Sequence, residues 1–510
     1  MKTGRFRLLM TLGVAVLPSA TVAPMPVQAD ATVRLVCNGT FPGGCPQGPH
    51  SSTIQAAVNA ANPGDWILVW PGVYHEKSNA TAGVMITTPG LHLRGLDRNL
   101  VVVDGSNGDS TAPCPNDPAQ QDFTARNGLE VFKTSGASVE NLTVCDYLSD
   151  TDGNNGNQIW FNGGDGTGKI GIGAWTGSYL TATSMYYQSP TAPMAQYGIF
   201  VSNANGPGSL TFSYASNMGD ADFYVGACPD CNAVLDHLHA QNSSLGYSGT
   251  NSGGHLFIQN SEWDHNKTGI APNSLNNDDR PSPQSGLCPS GSSSCTFIQN
   301  NDVHDNNNPN VPAFGISSAS PVGAGIEISG GMFNTVTGNR VYNQGAWGIV
   351  VHDYPDSETP PPGANCSGGT QLSGGICFFN ARGNVVSNNT LSNNRFFGNP
   401  SNGDLANEAS AQPKNCFFGN VDIAGRLTSD PANIQSAVVD GPPCDQFGPG
   451  DDHTLFTQLV CAAGLAPCPG FTYPRSTHVE MLPLTPQVTM SNPCAGAPAN
   501  RWCPYTGPHL

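Results

Sequence analysis

The hydrophobic pattern near the N-terminus changes from a helical period to a strand pattern. Four apolar residues recur at helical spacing between Ile54 and Ala61, which predicts one short amphipathic helix. The Asn-Pro-Gly-Asp sequence at 62–65 ends this helix, and the apolar run at 67–69 is typical of a buried strand. Beyond this point the helical period nearly vanishes, and short strands bounded by turn residues follow one another.

These strands recur with a period of about 23 or 24 residues. Segments of the Gly-Ile-x-Val type begin at Gly198, Asp222, Gly246, Gly269, Gly325 and Gly348. The steps between these starts are 24, 24, 23, 56 and 23 residues, and a second strand runs 11 or 12 residues ahead of most of them. Two insertions, at about 273–296 and 307–322, explain the long step.

A period of this length with two or three strands per turn predicts a β-solenoid, in which each coil covers the apolar face of the next. Coils that stack about 4.8 Å apart also bring identical turn residues side by side. Paired asparagines at 300–301, 388–389 and 393–394 fit such turns. Asparagine tolerates left-handed geometry, and its amide can bond to the asparagine one coil away. We expect Asn, Ser, Thr and Gly to cover the outside of the solenoid.

Two segments carry a specific resemblance to a known group. The sequence IQAAVNAANPGDWILVWPGVYHE from Ile54 and the sequence LHLRGLDRNLVVVDG from Leu91 resemble the start of right-handed parallel β-helix proteins of the pectin-lyase-like group. The match covers about 52–105, and the later repeats continue it to about 425. The resemblance implies an all-β, right-handed parallel β-helix with a short N-terminal cap helix. It implies no single chemistry, because the group includes pectate lyases, polygalacturonases, alginate epimerases and proteins without known activity.

Composition narrows the class of protein further. Charged residues make up only 11% of the chain, against about 25% in an average globular protein, which excludes a coiled coil. Hydrophobic residues make up 38%, which disfavours disorder. The formal net charge of −18 argues against a nucleic-acid partner, because a phosphate backbone is bound by a basic surface.

The first 29 residues have the pattern of a secretory signal peptide. Lys2, Arg5 and Arg7 precede an apolar run at 8–17, and small residues follow up to Ala29. The run is shorter than the ~20 residues that span a bilayer. Removing the peptide takes three of the 19 basic residues and none of the 37 acidic ones, which leaves 16 basic residues and a net charge of −21. We therefore expect a secreted, monomeric protein without membrane insertion.

All 16 cysteines follow the signal peptide, and an even number of cysteines in an exported chain predicts disulfides. The pairing does not follow from the spacing, although the isolated Cys228-Pro-Asp-Cys231 is typical of a structural disulfide. We expect residues 30–440 to form the β-helix domain. The segment 441–510 has five cysteines and many prolines, and we expect it to form a C-terminal cap or appendage.

Aligning the second strand of each repeat by its first apolar residue places polar residues in columns. The residues four positions after that apolar residue form one column: Leu238, Glu262, Asp302, Arg340 and Thr390. The residues six positions after it form a second column: Ala240, Asp264, His304, Tyr342 and Ser392. The column between them is mostly apolar and should face the core: His239, Trp263, Val303, Val341 and Leu391. We therefore expect one exposed patch that consists of Glu262, Asp264, Asp302, His304, Arg340 and Tyr342.

This patch suits chemistry on acidic polysaccharides. Arg340 or a proton could neutralise a uronate carboxylate, and His304 or Tyr342 could then act as base or acid. Alternatively, Glu262 and Asp302, one coil apart, could act as the paired carboxylates of a glycosidase. The other interpretation is structural, namely a solvated salt bridge between Asp302 and Arg340.

A second candidate pair lies on the Gly-Ile-x-Val strands. We expect Glu327 to point outward. His352 lies in the next coil, two residues further along its strand, so the two backbones should be roughly 8 Å apart. The segment 347–353 is faintly similar to the Tyr-Gly-x-Asp-Pro-His motif of alginate epimerases, but it has Trp347 and Val350 where the motif has Tyr and Asp. A surface histidine beside an ordinary loop is the alternative interpretation.

Asp150, Asp152 and Asn154 have the spacing of a calcium loop, although Phe161 stands where an EF-hand has its twelfth-position Glu. Calcium is therefore the one cofactor that the sequence suggests. Three aromatic residues are candidates for stacking on sugars: Tyr224, Tyr247 and Trp347.

Together these features predict a secreted protein that acts on or binds an extracellular polysaccharide, as a lyase, epimerase or hydrolase. Uronate polymers are the first expectation, but the scarcity of positive charge counts against them and leaves neutral polysaccharides open. The alternative is a non-catalytic binding or structural module, because no intact catalytic motif is present.

Overall fold

The computed structural model describes residues 31–109, 111–277, 296–357, 366–435 and 452–504. The predicted signal peptide lies outside these residues, as do most of the insertion expected at 273–296 and the beginning of the segment 441–510.

The N-terminal helix spans Ile54–Asn59, where the hydrophobic spacing predicts it. It begins there because the Thr53 hydroxyl accepts a hydrogen bond from the Ala56 backbone N–H at 3.2 Å, which satisfies one of the open donors of the first turn. Its apolar face, which includes Ile54 and Val58, is buried in the same core as the first strands of the chain. The predicted cap helix is therefore confirmed.

Nearly all other regular structure consists of short strands in three long parallel sheets. Sheet A contains Val33–Val36, Trp66–Val69, His92–Gly95, Ala137–Glu140, Trp175–Ser178, Gly208–Thr211, Ala233–Asp236, Leu256–Gln259, Thr296–Gln299, Thr335–Thr337, Val385–Ser387 and Cys416–Phe418. Sheet B contains Gly72–Tyr74, Val101–Asp104, Thr143–Cys145, Thr181–Thr183, Tyr214–Ser216, His239–Gln241, Glu262–Asp264, Asp302–His304, Arg340–Tyr342, Thr390–Ser392 and Val421–Asp422. Sheet C contains Ala82–Ile86, Asn127–Phe132, Ile159–Asn162, Tyr197–Ser202, Ala221–Gly226, Leu245–Thr250, Thr268–Asn273, Ala324–Ser329, Trp347–His352, Gly403–Asn407 and Ser429–Asp430.

Successive coils add one strand to sheet A, then to sheet B, then to sheet C. Neighbouring coils pair in parallel and in register; for example, Leu256 pairs with Thr296 in sheet A, and Ala324 pairs with Trp347 in sheet C. This arrangement is the right-handed parallel β-helix that the sequence predicts.

A few described elements lie outside the three sheets. A small antiparallel sheet contains Tyr354–Asp356, Thr370–Gln371 and Cys377–Phe379. Two 3-10 helices span Pro118–Gln120 and Ile316–Ala319, and a C-terminal α-helix spans Asp452–Ala463.

Columns of apolar side chains fill the interior of the β-helix. Sheet A contributes one such column, and its members are fully buried: Ile258, Ile298, Val336 and Val386. Sheet B contributes another fully buried column: Trp263, Val303, Val341 and Leu391. Apolar side chains thus repeat from coil to coil, which buries the inward face that one coil alone would expose to water.

Buried amide ladders connect the turns between the sheets. Between sheets A and B, each amide nitrogen donates to the amide oxygen of the next coil along Asn301, Asn339, Asn389 and Asn420, at 3.0, 2.9 and 2.9 Å. Between sheets B and C, a similar ladder contains Asn266, Asn306, Gln344 and Asn394. The ladder amides also bond to the backbone, as when Asn389 Nδ2 donates to the Val336 carbonyl at 3.0 Å. They satisfy turn groups that water cannot reach.

The two members of each predicted asparagine pair have different roles. Asn388 is exposed and has a φ of 55°, which is the left-handed geometry expected for a turn. Asn389 is fully buried and belongs to the ladder. The predicted turn geometry is therefore confirmed for the first member of the pair, and the predicted bond to the amide one coil away is confirmed for the second.

The segment 477–503, here called the C-terminal strap, runs back along the side of the β-helix. At its beginning, the Glu480 N–H donates to the Asn310 carbonyl at 3.1 Å. Near its end, Arg501 Nη1 donates to the Gln47 carbonyl at 2.9 Å, across 454 residues of sequence. The strap therefore joins the late coils to the first coil.

Side chains from the turns of the β-helix hold the strap. Asn217 donates to the Leu482 carbonyl and accepts from the Leu482 N–H, both at 2.9 Å. Asn99 forms the same pair of bonds with Gln487, at 2.8 and 2.7 Å. Arg98 is buried and donates to the Val488 carbonyl at 3.0 Å, and burial lowers its pKa to about 9. The strap is thus bonded through its backbone, much as an added strand would be.

The predicted disulfides are present. Among the described residues the pairs are Cys37–Cys45, Cys114–Cys145, Cys228–Cys231, Cys366–Cys377, Cys461–Cys468 and Cys494–Cys503. Cys416 is also disulfide-bonded. In the described ranges, no helix combines the length and the apolar character needed to cross a membrane.

The ladder gives a stability prediction. Asn389→Gly should lower the free energy of unfolding by about 3 kcal/mol, because it leaves buried groups such as the Asn339 amide and the Val336 carbonyl without partners. The matched variant Asn388→Gly should change it by less than about 1 kcal/mol, because glycine adopts a positive φ without strain. Urea denaturation of both variants measures the difference; equal effects would show that the ladder adds little.

Candidate functional site

The structure brings together the residues of the first predicted patch on the outer side of sheet B. Glu262 pairs with Asp302, and Asp302 pairs with Arg340. Asp264 pairs with His304, which pairs with Tyr342. The register of these three strands is therefore the one that the column alignment predicts.

The alignment is wrong by one residue in the coil before them. His239, and not Leu238, pairs with Glu262, so His239 lies on the outer face instead of in the core column. The reason is that Val234, the first apolar residue of that repeat, is 37% exposed, whereas Leu235 faces the core. Gln241 consequently pairs with Asp264 in place of the predicted Ala240.

His304 is the centre of the patch. Its Nε2 lies 3.2 Å from Glu262 Oε1, and its Nδ1 lies 3.0 Å from Asp305 Oδ2. Its ring stacks on Tyr342 with the centroids 4.8 Å apart. Burial raises the pKa of Tyr342, and the charge of Asp302 adds to the effect. The imidazole therefore has a fixed orientation between two carboxylates.

The remaining contacts of this patch are partly in water. Arg340 Nη2 lies 3.5 Å from Asp302 Oδ2, and the Arg340 side chain is 64% exposed. The Arg340 guanidinium also lies over the Tyr342 ring, 5.3 Å from its centroid. The salt bridge considered from the sequence is thus present, and such an exposed pair contributes little to stability.

Asp264 does not belong to the exposed part of the patch, because it is only 3% exposed. Its Oδ1 lies 2.7 Å from His239 Nε2, while its Oδ2 accepts from Gln241 at 2.8 Å and also contacts His265 Nδ1. Burial alone would raise the pKa of Asp264, but the hydrogen bonds from His239 and His265 hold it well below its usual range. Asp264 is therefore a buried carboxylate surrounded by donors.

The second predicted pair, Glu327 and His352, lies on the outer side of sheet C. His352 Nε2 is 2.9 Å from Glu327 Oε1. Glu327 and His352 are only 5% and 7% exposed, so the interpretation of His352 as a surface histidine is wrong. The 3-10 helix Ile316–Ala319 and the C-terminal helix Asp452–Ala463 line the same cavity and cover them, and the C-terminal helix comes about a hundred residues after His352 in the sequence.

The hydrogen bonds of His352 fix the number of protons in this pair. Its Nδ1 lies 2.8 Å from the Asp353 carbonyl, which can only accept, so Nδ1 carries a proton. The contact between Nε2 and Glu327 Oε1 then needs one further proton, located on either atom. The pair therefore holds one transferable proton between a histidine and a carboxylate.

The other carboxylate oxygen of Glu327 takes no part in this contact. Its Oε2 is buried and has no hydrogen-bond partner among the described residues. Burial by itself would lower the pKa of His352, but the hydrogen bond to Glu327, the charge of Glu327 and the bond to the Asp353 carbonyl together outweigh it and raise the pKa. A buried acceptor without a partner is costly, which is characteristic of a site that binds a donor.

The pair lines a cavity of about 280 Å³. Polar residues of the sheet form its floor: Ser248, Thr250, Asn273 and Ser329. Apolar residues of the two covering helices form much of its roof: Ile316, Phe456, Leu459 and Val460. Asp353 also lines the cavity, and its carboxylate accepts from the Ala381 N–H at 2.7 Å. The cavity is thus apolar on one side and polar on the other, as small-molecule sites usually are.

An aromatic platform lies next to the cavity on the same face of sheet C. Phe200 stacks on Trp160 with the ring centroids 5.0 Å apart, and on Tyr197 at 4.5 Å. Tyr224 closes the group edge-on, 4.6 Å from Phe200. Trp160, Phe200 and Tyr197 are partly exposed, and Tyr197 also lines the cavity. The platform and the cavity therefore form one continuous surface.

Sequence reasoning missed this platform, although a signal was present. Trp160, Phe200 and Tyr224 occupy the same register position of three successive strands, so extending the column alignment to sheet C would have found them. Of the other proposed stacking residues, Tyr247 and Trp347 are fully buried and cannot contact a sugar.

The predicted calcium loop is closed by its own hydrogen bonds. Asp150 Oδ1 accepts from the Asn154 N–H at 2.8 Å and from the Asp152 N–H at 3.0 Å. Asp150 Oδ2 accepts from Asn154 Nδ2 at 2.8 Å. These bonds stabilise the turn with the carboxylate that a calcium ion would use.

The chain has only distant similarity to known proteins. No family model matches the chain, and no curated protein matches it. Among solved structures, it is similar to the A-module of the Azotobacter vinelandii mannuronan C-5 epimerase AlgE4, with 12% identity over 73% of this chain and 91% of the module and a TM-score of 0.41. It is also similar to the tailspike of E. coli bacteriophage HK620 in complex with a pentasaccharide, with 12% identity over 76% of this chain and 65% of the tailspike and a TM-score of 0.40. Pectate lyase Pel9A is similar with 15% identity over 79% of this chain and 78% of the lyase and a TM-score of 0.34. At these identities the similarity concerns the fold alone.

The histidine–glutamate pair predicts a pH dependence of stability. A histidine whose pKa is raised by folding stabilises the folded state fully below its unfolded pKa, about 6.5, and this stabilisation is lost as the pH rises through the folded value. The free energy of unfolding of the wild type should therefore exceed that of His352→Gln by the largest amount below about pH 6.5, and this difference should shrink at higher pH. Urea midpoints at a series of pH values measure it. His50→Gln, at an exposed site, is the control variant of the same series; a flat result for His352→Gln would contradict the proton count.

Proposed function

We propose that this protein binds a neutral extracellular polysaccharide on the outer face of sheet C and hydrolyses it with the Glu327–His352 pair as the proton-transferring group. One observation carries the proposal: a pair that holds one proton and one unpaired carboxylate oxygen lies in the wall of a cavity. This arrangement is costly to stability, and a reacting hydroxyl would complete it.

The aromatic platform supports a sugar chain as the ligand. Sugar rings present apolar C–H faces and polar edges, so they bind to exposed aromatic faces with hydrogen-bonding groups nearby. Trp160 and Phe200 supply such faces, and Thr250 and Asn273 supply polar groups on the cavity floor. The cavity of about 280 Å³ is near the small end of ligand sites, which suits one or two sugar units with the rest of the chain over the platform.

The charges around the cavity favour a neutral sugar over a uronate. Asp220, Glu327 and Asp353 line the cavity, whereas its described lining includes no Lys or Arg and His352 is its sole basic residue. Uronate lyases and epimerases need a cation that neutralises the substrate carboxylate before proton abstraction. The Glu327–His352 pair has no net charge by the proton count above, so Asp220 and Asp353 are the carboxylates that would repel a uronate, and hydrolysis of a neutral glycosidic bond fits this lining better.

Hydrolysis by this pair is balanced as follows. The pair gives its proton to the glycosidic oxygen as the bond to the anomeric carbon breaks, and a water adds to that carbon. The water's own proton passes to a second carboxylate, for which Asp220 and Asp353 are the candidates in the lining. When the product leaves, the second carboxylate releases its proton to water and the pair takes one up from water, so that one water is consumed per bond broken and no cofactor is needed.

The sheet B patch fits catalysis on a polymer less well. Asp264 is buried and engaged by three donors, and Asp302 is paired with Arg340. Glu262 is exposed at the surface, where water would screen its charge. A catalytic role for Glu262, Asp264, Asp302, His304, Arg340 and Tyr342 stays a prediction from the sequence.

Glu327→Gln tests the catalytic role. Glutamine keeps the shape and a hydrogen bond to His352 but cannot donate the proton, so turnover should fall by about 10²–10⁴-fold while binding is kept. The measurement is the release of reducing ends from xylans and mannans, with pectins and alginates in the same panel. His237→Gln, at an exposed turn histidine, is the matched control and should keep full activity.

Three results would contradict parts of this proposal. Full activity of Glu327→Gln would move the reaction away from the cavity. Ultraviolet-absorbing unsaturated products would show a lyase. Retardation of wild-type protein in polysaccharide gels without any turnover would show the non-catalytic binding module instead.

Trp160→Ala tests the platform separately from the chemistry. Removing the stacking ring should weaken binding of the polysaccharide by about 5-fold or more, because a buried contact of this size contributes over about 1 kcal/mol. Phe257→Ala is the matched control, since Phe257 is also a partly exposed ring, stacked on Phe297 at 4.7 Å, but lies on sheet A. Affinity gels with both variants give the comparison; equal retardation would exclude the platform.

A further inference from the structure

The outer face of sheet B carries a second arrangement of side chains that the hydrolysis does not use. We propose that His239, Glu262 and Asp264 form a binding site for a divalent transition metal ion of the zinc class. The site is distinct from the sheet C cavity, and its ligands come from the neighbouring strands His239–Gln241 and Glu262–Asp264.

The positions of the three donor atoms suit one metal ion. His239 Nε2 lies 2.7 Å from Asp264 Oδ1 and 3.9 Å from Glu262 Oε2. One nitrogen and two carboxylate oxygens lie within 4.8 Å of one another. Ligands that each lie about 2.0–2.2 Å from a zinc ion are about 3–4 Å apart, so small side-chain rotations would complete the shell.

The mixture of ligands selects the class of metal. An imidazole nitrogen favours zinc and its transition-metal neighbours, whereas calcium and magnesium prefer oxygen ligands throughout. The surroundings of the ligands match this class as well. His265 contacts the outer oxygen of Asp264, and His304 lies 3.2 Å from the outer oxygen of Glu262. Ligating carboxylates in metal sites are usually held by such outer hydrogen bonds.

His304 supports Glu262 from its other side. Its Nε2 lies 3.2 Å from Glu262 Oε1, and its Nδ1 lies 3.0 Å from Asp305 Oδ2. The imidazole therefore joins two carboxylates and holds Glu262 close to His239 and Asp264.

Asp264 is the buried ligand of the site. Its carboxylate is 3% exposed and is held by His239 and Gln241 at 2.7 and 2.8 Å. Glu262, by contrast, is exposed, which leaves an approach from solvent. The site thus has one buried ligand and one exposed ligand at its entrance.

Isothermal titration of untagged, chelator-treated protein with Zn²⁺ tests this inference, and Co²⁺ in place of Zn²⁺ gives a visible spectrum that reports the ligands. We expect one equivalent of Zn²⁺ to bind, and His239→Gln to weaken binding at least 10-fold. The matched control is His237→Gln, because His237 also contacts an aspartate, with Nδ1 2.6 Å from Asp236, but is not in the three-residue group. This control should bind Zn²⁺ like the wild type.

Glu262→Gln is a second test that does not disturb the buried Asp264, and circular dichroism checks that each variant is folded. It should also weaken Zn²⁺ binding at least 10-fold. Absence of binding by the wild type, or equal binding by His239→Gln and His237→Gln, would overturn the inference. Tight binding of Ca²⁺ that Zn²⁺ does not displace would overturn the class of metal. Polysaccharide turnover is not part of the readout, so the result is independent of the proposed function.

Discussion

Hydrogen bonds between stacked turn amides set the register of the whole molecule. In a parallel β-helix the backbone bonds of one strand pair fit equally well after a shift, and a one-residue slip moves every side chain to the other face. The amides of Asn301, Asn339 and Asn389 prevent such a slip, because each must meet its counterpart and its backbone partners at the same time. The register also decides which outward-facing side chains meet across coils, such as His352 with Glu327 and His304 with Glu262.

The repeat therefore made much of the molecule predictable from the sequence. The cap helix, the parallel coils and the pairing of Glu262 with Asp302 follow from apolar spacing, since a residue's neighbours across coils lie a fixed period away. The column alignment failed in one coil, where its assumption that the first apolar residue of a strand points inward does not hold. In the coil of His239 an exposed Val234 precedes the inward Leu235, and a rule that takes the first apolar residue as inward has no means of recognising this.

The sites themselves were less predictable, because they depend on parts of the chain outside the period. The column pattern places Glu327 and His352 on an outer face, and nothing in it shows that the C-terminal helix, more than a hundred residues later, buries them. Burial is what turns a surface pair into a pair that holds one proton in a cavity. Likewise, Asp264 is buried beside the side chains of His239 and Gln241, which form hydrogen bonds to its carboxylate. The local pattern thus predicts whether a side chain points into or out of the β-helix. The burial that makes these side chains a candidate site comes from residues distant in the sequence.

The C-terminal strap has a consequence for the time course of folding. Most solenoids can complete coil after coil as the chain emerges from the ribosome, because each coil contacts only its neighbours. Here the backbone carbonyls that bind Arg98 and Asn99 belong to the strap and are made almost four hundred residues later. Until the strap is made, Arg98 has only its partners in the coils, which are the Thr181 hydroxyl and the carbonyls of Leu180 and Phe212. In the finished molecule the strap consequently ties the first coil to the coil of Asn310, so that opening the first coil must also break bonds to a segment made far later in the chain.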